Sequence, residues 1–252
     1  MTVGVASRHV EHCMGTVFTL DVRTPGFDTR VFADVVGFLH DVDATFSTYR
    51  EDSEISRLNR GDAELEQCRP DVREILRRCQ ELERETGGYF SAFAAGTLDP
   101  SGLVKGWAIE RASDLLVAAG STDHCVNGGG DVQCAGNAAP GTPWRVGIAH
   151  PLQPGAIAGI VAGSDLAVAT SGSAERGQHV LDPHTGRPPS GMAGVTVIGR
   201  RVSLADAYAT AAFAMGAGAP DFIEDLHGHW GFGVRDDGTT WSTSGFGDGT
   251  GF

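Results

Sequence analysis

Hydrophobic and polar residues alternate along residues 15–23, GTVFTLDVR, where β-branched side chains are frequent. That period of two predicts a half-buried strand. Over residues 28–47 the apolar side chains recur every three or four positions, which predicts an amphipathic helix. Its apolar stripe consists of Val31, Val35, Phe38, Leu39, Val42 and Phe46. Residues 47–62 are polar and rich in turn-forming types, so they are predicted to be a loop.

Two more helices are predicted before the chain changes character. The first spans about residues 70–86, because Pro70 suits a first helical turn and two glycines follow the segment. After a loop over residues 88–102, the next helix covers residues 103–120 and stops at Gly120. These three helices and the leading strand make up the first half of the chain.

Short β-rich runs dominate from residue 124 onward. Strands are predicted within residues 124–136, 144–150, 155–163, 165–172 and 193–200, followed by a helix over 203–216. A short helix over 221–227 and a hairpin around the Asp237-Gly238 turn complete the chain. Helices followed by mostly sequential strands predict an α+β fold, and we expect residues 1–252 to form a single domain.

Composition narrows the function classes. The chain has 252 residues, of which 41% are hydrophobic, and a formal net charge of -13, which argues against a nucleic-acid or anionic-membrane surface. Its five cysteines show no CxxC spacing, and this is typical of free thiols in a reducing compartment. The first 20 residues contain neither a basic segment nor a long apolar run. We therefore expect a cytoplasmic protein without a membrane anchor.

The helix over 203–216, SLADAYATAAFAMG, carries Asp206 and Thr210 four residues apart on one face. Burying a carboxylate among alanines costs several kcal/mol unless a cation or hydrogen bonds offset the loss of water. A carboxylate and a hydroxyl are hard oxygen ligands that suit Mg²⁺. The alternative is that Ser203 or Asp206 caps the start of this helix.

Two further segments favour a phosphate-bearing ligand. In VNGGGDV, residues 126–132, glycines allow backbone N–H groups to approach a ligand, although a tight hairpin is an equally good interpretation. Residues 169–172, ATSG, end an apolar strand, where free backbone amides can hold a phosphate. His179 can exchange a proton near neutral pH, or can simply lie beside the turn that follows it.

In chain order, eight segments resemble the ApbE family, the FAD:protein FMN transferases. They are MGTVFTLDV, FSTYREDSEISRLN, TGGYFSAF, DPSGLVKGWAIERA, VNGGGDV, ATSG, HVLDPHTGRPP, and VTVIG leading into LADAYATAAFAMG. The resemblance covers almost the whole chain. It implies an ApbE-like fold related to the T-fold, with mixed sheets and packed helices in one compact unit.

The resemblance also implies an activity. The enzyme binds FAD together with Mg²⁺, and a Thr or Ser hydroxyl of a cytoplasmic acceptor protein attacks the FMN-side phosphorus. AMP leaves, and FMN stays attached through a phosphoester; such chemistry depends mainly on positioning and electrostatics. Two alternatives stay open from sequence: an Mg²⁺-dependent FAD pyrophosphatase and a non-catalytic FAD-binding protein. Self-modification at the hydroxyls of residues 236–243 is a further alternative, although these residues are better explained as a hairpin.

Matching motifs imply roles for individual residues. Asp206 and Thr210 resemble side-chain ligands of Mg²⁺, with the Gly102 carbonyl as a third ligand, and His179 resembles the group that accepts the proton. Ser91 stands where many members have an acid. The residues that resemble the FAD-binding set are Met14, Tyr49, Tyr89, Phe90, Ser91, Asp99, Lys105, Asn127, Gly128, Gly129, Gly130, Asp131, Thr170, Ser171, Gly172 and His179.

Overall fold

Ten strands and six α-helices make up the part of the chain that the computed structural model describes, which is residues 6–173 and 180–246. The strands are β1 (Ser7–Cys13), β2 (Thr16–Val22), β3 (His124–Gly128), β4 (Asp131–Ala135), β5 (Trp144–Ala149), β6 (Ile157–Gly163), β7 (Ala167–Gly172), β8 (Met192–Gly199), β9 (Trp230–Arg235) and β10 (Thr240–Ser242). The helices are α1 (Val31–Phe46), α2 (Glu54–Arg60), α3 (Pro70–Glu85), α4 (Ser101–Ala118), α5 (Val202–Met215) and α6 (Ala219–Glu224).

Within these described residues, eight strands form one sheet in the order β1-β2-β3-β4-β7-β8-β9-β10, and all neighbours in it are antiparallel. Strands β5 and β6 form a separate antiparallel hairpin. The α+β fold class is therefore confirmed. The five strand-bearing segments predicted after residue 124, the strand within 15–23 and the final hairpin are also confirmed.

The two faces of the sheet belong to different cores, because alternate residues of a strand point to opposite sides. On β7, Ala167 and Ala169 join the large core formed with the helices. Leu166, just before β7, and Val168 join a smaller cluster with Trp144 of β5. Helices thus cover one face of the sheet, and the β5–β6 hairpin covers part of the other.

Two predictions of local structure were wrong. Residues 47–62 are not a continuous loop, because α2 forms within them: the Ser53 hydroxyl accepts the Ser56 N–H at 3.0 Å, Ile55 is buried, and Gly61 ends the helix at φ 74°. The helix predicted over 103–120 begins at Ser101, which places Gly102 in its first turn. Strand β1 was not predicted; it pairs with β2 along its whole length.

The helices α4 and α5 cross closely at Gly106. A Cβ atom at this position would lie 2.9 Å from Asp206 Cβ, from Ser203 Cα and from the Val202 carbonyl oxygen. We expect Gly106→Ala to lower the free energy of unfolding by about 1–3 kcal/mol, because backbone atoms cannot yield without moving a helix. Denaturant unfolding followed by circular dichroism measures this change.

The matched control is Gly37→Ala in α1, where an added Cβ meets nothing within 4 Å. Alanine is a better helix former than glycine, so this variant should gain about 0.5–1 kcal/mol. Equal effects of the two substitutions would contradict the close crossing at Gly106.

His124 is fully buried and bonded to two hydroxyls, with Ser113 Oγ 2.8 Å from its Nε2 and Ser121 Oγ 2.9 Å from its Nδ1. Burial lowers the pKa of this imidazole from 6.5 to about 4. The contribution of neutral His124 to the free energy of unfolding is therefore fully present above pH 6.5. It is lost as the pH falls from 6.5 toward 4, because in this range only the unfolded chain takes up the proton. The expected loss is about 3 kcal/mol of unfolding free energy.

Urea unfolding at several pH values between 7 and 4 measures this loss. His124→Gln should flatten the pH dependence, whereas His12→Gln, at an exposed side chain, should leave it unchanged. The same slope in the wild type and in His124→Gln would contradict the assignment.

Among the described helices, none combines the length and the apolar character that a bilayer crossing requires.

Candidate active site

A cavity of about 540 Å³ opens where the start of α4, the middle of α5 and the ends of β3, β4 and β7 converge. Residues 145–151, of β5 and the turn after it, form the opposite wall, and residues 89–95 after α3 form one side. Its volume lies within the range of small-molecule sites. The cavity therefore lies between the helical layer and the β5–β6 hairpin, with polar groups from several elements directed into it.

Asp206 and Thr210 of α5 both line this cavity, as their spacing predicted. The Asp206 side chain is only 2% exposed, and its Oδ2 accepts the Gly106 N–H at 3.1 Å. Helix α5 begins at Val202 with no side-chain cap, so neither Ser203 nor Asp206 caps it. The alternative interpretation of these residues as helix caps is wrong, because Asp206 is directed at the neighbouring helix.

Gly102 in the first turn of α4 faces Thr210 closely. A Cβ atom at Gly102 would lie 3.8 Å from Thr210 Cγ2 and 3.2 Å from the Phe90 ring. The Thr210 hydroxyl lies 3.2 Å from the Ser171 hydroxyl at the end of β7. Two hydroxyls and a helix terminus thus meet at the base of the cavity.

Lys105 lies between two buried carboxylates. Its Nζ bonds Asp131 Oδ2 and is 3.4 Å from Asp206 Oδ1, while Asp131 and Asp206 are 1% and 2% exposed. Lys105 is also the only lysine among the 252 residues. Its ammonium is therefore shared by two acids from different elements, β4 and α5.

This arrangement places two acids against one ammonium. Burial raises the pKa of Asp206 to about 7; the Lys105 ammonium opposes this rise, and the Asp131 carboxylate adds to it. A bound cation would favour the ionised form of Asp206. The site is therefore electrostatically suited to a positive ligand next to Asp206.

The glycine-rich segment is both a tight hairpin and a wall of the cavity. Gly129 and Gly130 form a two-residue turn between β3 and β4 with φ 60° and 93°, values that favour glycine at both positions. At Gly129, an added Cβ would lie 2.6 Å from Thr16 Oγ1. The turn presents Asn127 and Asp131 to the cavity from its two sides.

Asp131 also accepts the backbone N–H of Thr170 through Oδ1 at 2.9 Å. The expectation that the Thr170 N–H is free to hold a phosphate is therefore wrong, because this N–H is already donated to the Asp131 carboxylate of β4. The Thr170 hydroxyl lies 2.9 Å from that of Thr196 on β8. Thr170, Ser171 and Gly172 at the end of β7 all line the cavity.

Comparison with known proteins identifies the family. The sequence model of the ApbE family matches residues 14–97 and 93–230. The chain belongs to the ApbE family. Both the family and the ApbE-like fold implied by the sequence motifs are confirmed, the fold by the solved structures of ApbE proteins.

Relatives and solved structures of ApbE proteins agree with this membership. A curated relative from Vibrio cholerae, named FAD:protein FMN transferase, is 26% identical over 81% of this chain and 79% of its own length. The structure of the flavin transferase ApbE from Vibrio cholerae superposes with TM-score 0.84 at 23% identity, over 96% of this chain and 98% of that one. The ApbE protein of Thermotoga maritima gives TM-score 0.86 at 20% identity, over 96% and 98%.

Most residues that the ApbE motifs single out meet in the cavity. Those that line it are Tyr89, Phe90, Ser91, Asp99, Gly102, Lys105, Asn127, Gly129, Gly130, Asp131, Thr170, Ser171, Gly172, Asp206 and Thr210. They come from five separate parts of the chain, and the fold brings them together.

The remaining residues of the ApbE motifs lie elsewhere. Tyr49 is 97% exposed and Met14 packs against the helical core at φ 53°, and neither lines the cavity. Gly128 does not line the cavity either, and a Cβ atom there would lie 2.8 Å from the Phe18 ring and 2.9 Å from the Ile109 side chain. His179 lies outside the described residues, so its role as proton acceptor stays a prediction.

Sequence reasoning missed the wall that the β5–β6 hairpin supplies. Arg145 and His150 line the cavity, yet neither belongs to a segment that resembles an ApbE motif. The alternation of residues 144–150 predicted a strand, but it did not predict that this strand packs next to the site. Only the packing of the hairpin on β4 and β7 brings these side chains there.

The donor atoms of this ApbE site fit Mg²⁺. Asp206 supplies a desolvated carboxylate, Thr210 a hydroxyl and Gly102 a carbonyl in the adjacent helical turn, and all three are hard oxygen donors. No group of three or more His, Cys, Asp or Glu side chains able to hold a metal occurs in the described ranges. A cation here would depend on mixed oxygen donors and on the ligand's own phosphate oxygens.

Proposed function

We propose that this chain is an Mg²⁺-dependent FAD:protein FMN transferase, which attaches FMN through a phosphoester to a Thr or Ser of an acceptor protein and releases AMP. The observation that carries the proposal is the convergence of Asp206, Thr210, Gly102 and Lys105 on one cavity in a chain of the ApbE family. The curated relatives bear the name of this activity. The acceptor's cytoplasmic location stays a prediction from the sequence.

The charges of the site support binding of a diphosphate through a divalent cation. Asp206 and Thr210 would hold Mg²⁺ together with the Gly102 carbonyl, and the ion would neutralise charge on the diphosphate of FAD. Lys105 supplies one fixed positive charge next to Asp206 at 3.4 Å. Because the whole chain carries a net charge of -13, local cations are needed to hold an anionic dinucleotide.

The walls of the cavity suit the remaining parts of FAD. Tyr89 and Phe90 provide aromatic surface on one side, where flat heterocyclic rings can stack. Asn127 and Ser91 supply amide and hydroxyl groups that can bond ring edges or ribose. Ser91 adds no charge to this wall, unlike the acid that many family members have there.

Transfer needs a proton acceptor near the attacking hydroxyl. We assign this role to His179 on the resemblance of its motif, because an imidazole can accept a proton near neutral pH. The next residue in the chain, Val180, lines the cavity.

Incubation with FAD, MgCl₂ and a soluble cell lysate tests the proposal. Transfer predicts a flavin-fluorescent protein band on a denaturing gel, AMP formed in equal amount to protein-bound FMN, and loss of both with EDTA. Tryptic mapping should place the phosphoester on Thr or Ser of the labelled protein. Intact mass of the chain itself, after FAD and MgCl₂ alone, separates transfer to a partner from self-modification at residues 236–243.

Two outcomes contradict transfer. Equal amounts of AMP and free FMN without an acceptor, and no labelled band with the lysate, identify an FAD pyrophosphatase, in which water replaces the hydroxyl. Retention of intact FAD with no AMP identifies a binding protein. The pyrophosphatase is the stronger competitor, because it uses the same oxygen donors and the same cavity.

A further inference from the structure

Two cysteines face each other across the β3–β4 hairpin, which borders the cavity. Cys125 of β3 is the direct antiparallel partner of Cys134 of β4. The Cys134 N–H is donated to the Leu166 carbonyl at 2.8 Å, on the side away from β3. The pair is therefore a non-hydrogen-bonded one, the type in which Cα atoms lie about 4.5 Å apart and side chains are closest. This separation falls within the range that disulfides span.

The two thiols differ in access. Cys125 is half-buried and lines the cavity, whereas Cys134 is 1% exposed and packs with Trp144 and Leu166. Both thiols are free in this structure. The pKa of Cys134 is raised first by its hydrogen bond with the neighbouring Cys125 and then by burial.

A cation lies near the accessible thiol. Asp21 of β2 is the strand partner of Cys125, and Arg23 binds that carboxylate at 2.6 and 2.8 Å. The guanidinium lies 5.6 Å from the centre of the Trp144 ring, above the same face of the sheet. The pKa of Arg23 is raised mainly by Asp21 and additionally by attraction to Cys125. The strand pairing thus brings the Arg23–Asp21 ion pair next to Cys125.

We propose that Cys125 and Cys134 are a redox-active pair that forms a reversible disulfide by exchange with a low-molecular-weight disulfide. The Cys125 thiolate attacks one sulfur of the small disulfide, forms a mixed disulfide and releases one thiol. The Cys134 thiol then loses its proton, its sulfur attacks the Cys125 sulfur, and the second thiol leaves. The protein pair is oxidised by two electrons, and the small disulfide is reduced to two thiols, which take up both protons.

The burial of Cys134 suits the second step rather than the first. A buried thiol cannot meet a bulky disulfide, but it can reach the sulfur beside it. Once Cys125 is in a mixed disulfide it no longer carries a negative charge, so its effect on the pKa of Cys134 is removed. Exchange then clears the cavity of the adduct, which keeps the site open. This inference does not depend on which ligand the cavity binds.

The other three cysteines are internal controls. Cys13, Cys68 and Cys79 are 6%, 5% and 3% exposed, and burial raises the pKa of each thiol, to about 11 for Cys13 and about 12 for Cys79. None of the three lines the cavity. Buried thiols of raised pKa react slowly.

The experiment treats the native full-length chain with oxidised glutathione, then blocks remaining thiols with N-ethylmaleimide under denaturing conditions and records intact mass and peptide maps. The wild type should lose two of its five thiols, carry no glutathione, and yield one linked peptide pair joining Cys125 to Cys134. Dithiothreitol should restore both thiols. Cys79→Ala, which leaves the pair intact, should behave like the wild type.

Two variants separate the roles within the pair. Cys134→Ala should accumulate glutathione on Cys125, because no resolving thiol remains. In Cys125→Ala, the fraction of Cys134 that carries glutathione should be at least about tenfold lower than the fraction of Cys125 modified in Cys134→Ala. Alkylation of all five thiols in the treated wild type, or a linkage that involves another cysteine, would overturn the proposal. The wild-type linkage decides the matter even where a variant does not fold.

Discussion

Asparagine in place of Asp206 is expected to lower FMN transfer about 100-fold or more at saturating FAD, because removing one fixed charge-stabilising group from a desolvated site typically costs that much. The substitution keeps the shape of the side chain and leaves an oxygen that can accept the Gly106 N–H. The fold should therefore persist while the charge that attracts the cation is lost. Initial rates of fluorescent band formation, measured across a range of MgCl₂ concentrations, give the effect.

The matched control for Asp206→Asn is Asp114→Asn in α4. Asp114 is exposed and pairs only with Arg111 at 3.1 Å among the ion pairs of the described chain, and such surface pairs contribute little. Its transfer rate should equal that of the wild type. Wild-type transfer by Asp206→Asn at low MgCl₂ would refute the role of this carboxylate in holding the metal.

Methionine in place of Lys105 is expected to reduce the free energy of unfolding by about 3–5 kcal/mol, the cost of removing one partner from a buried ion pair. Asp131 and Asp206 would each lose the ammonium while remaining 1% and 2% exposed. Methionine has a similar length, so little packing is lost. Chemical denaturation monitored by circular dichroism, in the presence of EDTA, measures the change without contributions from bound metal.

A second substitution tests the cause of that loss. Combining Lys105→Met with Asp131→Asn removes one of the two uncompensated charges, and the double variant should recover at least about 1 kcal/mol relative to Lys105→Met alone. Arg111→Met, in the exposed pair with Asp114, should change stability by no more than about 0.5 kcal/mol. A double variant less stable than Lys105→Met would show that charge balance is not what Lys105 provides.

Parts of the site were predictable because they depend on local geometry. The four-residue spacing of Asp206 and Thr210 places both on one helix face, and the cavity confirms that they share it. Three consecutive glycines between strand-like segments predicted a tight turn, and Gly129 and Gly130 form one. Helix α3 begins at Pro70 as its sequence predicted.

The prediction that was wrong and the one that stays open both concern residues whose contacts are made with side chains distant in the sequence. Helix α2 looked like a loop because only Ile55 among its residues is buried, so it has almost no apolar stripe. Tyr49 belongs to a motif that suggested a ligand pocket; it is 97% exposed and does not line the cavity, so its contact with FAD stays a prediction. In each case the surroundings of the residue, rather than its own sequence window, decide what it contacts.

The sequence by itself determined the periods of the strands and helices, the turn at Gly129 and Gly130, and the placement of Asp206 and Thr210 on one helix face, because each depends on residues close together in the chain. It also determined the family, because the motifs occur in order along the chain. Only the tertiary structure decided that Lys105 is shared by Asp131 and Asp206, that the β5–β6 hairpin closes the cavity, and that Cys125 meets Cys134 on its wall. The physical reason is that charge compensation and burial act between side chains that are near in space, whatever their separation in sequence.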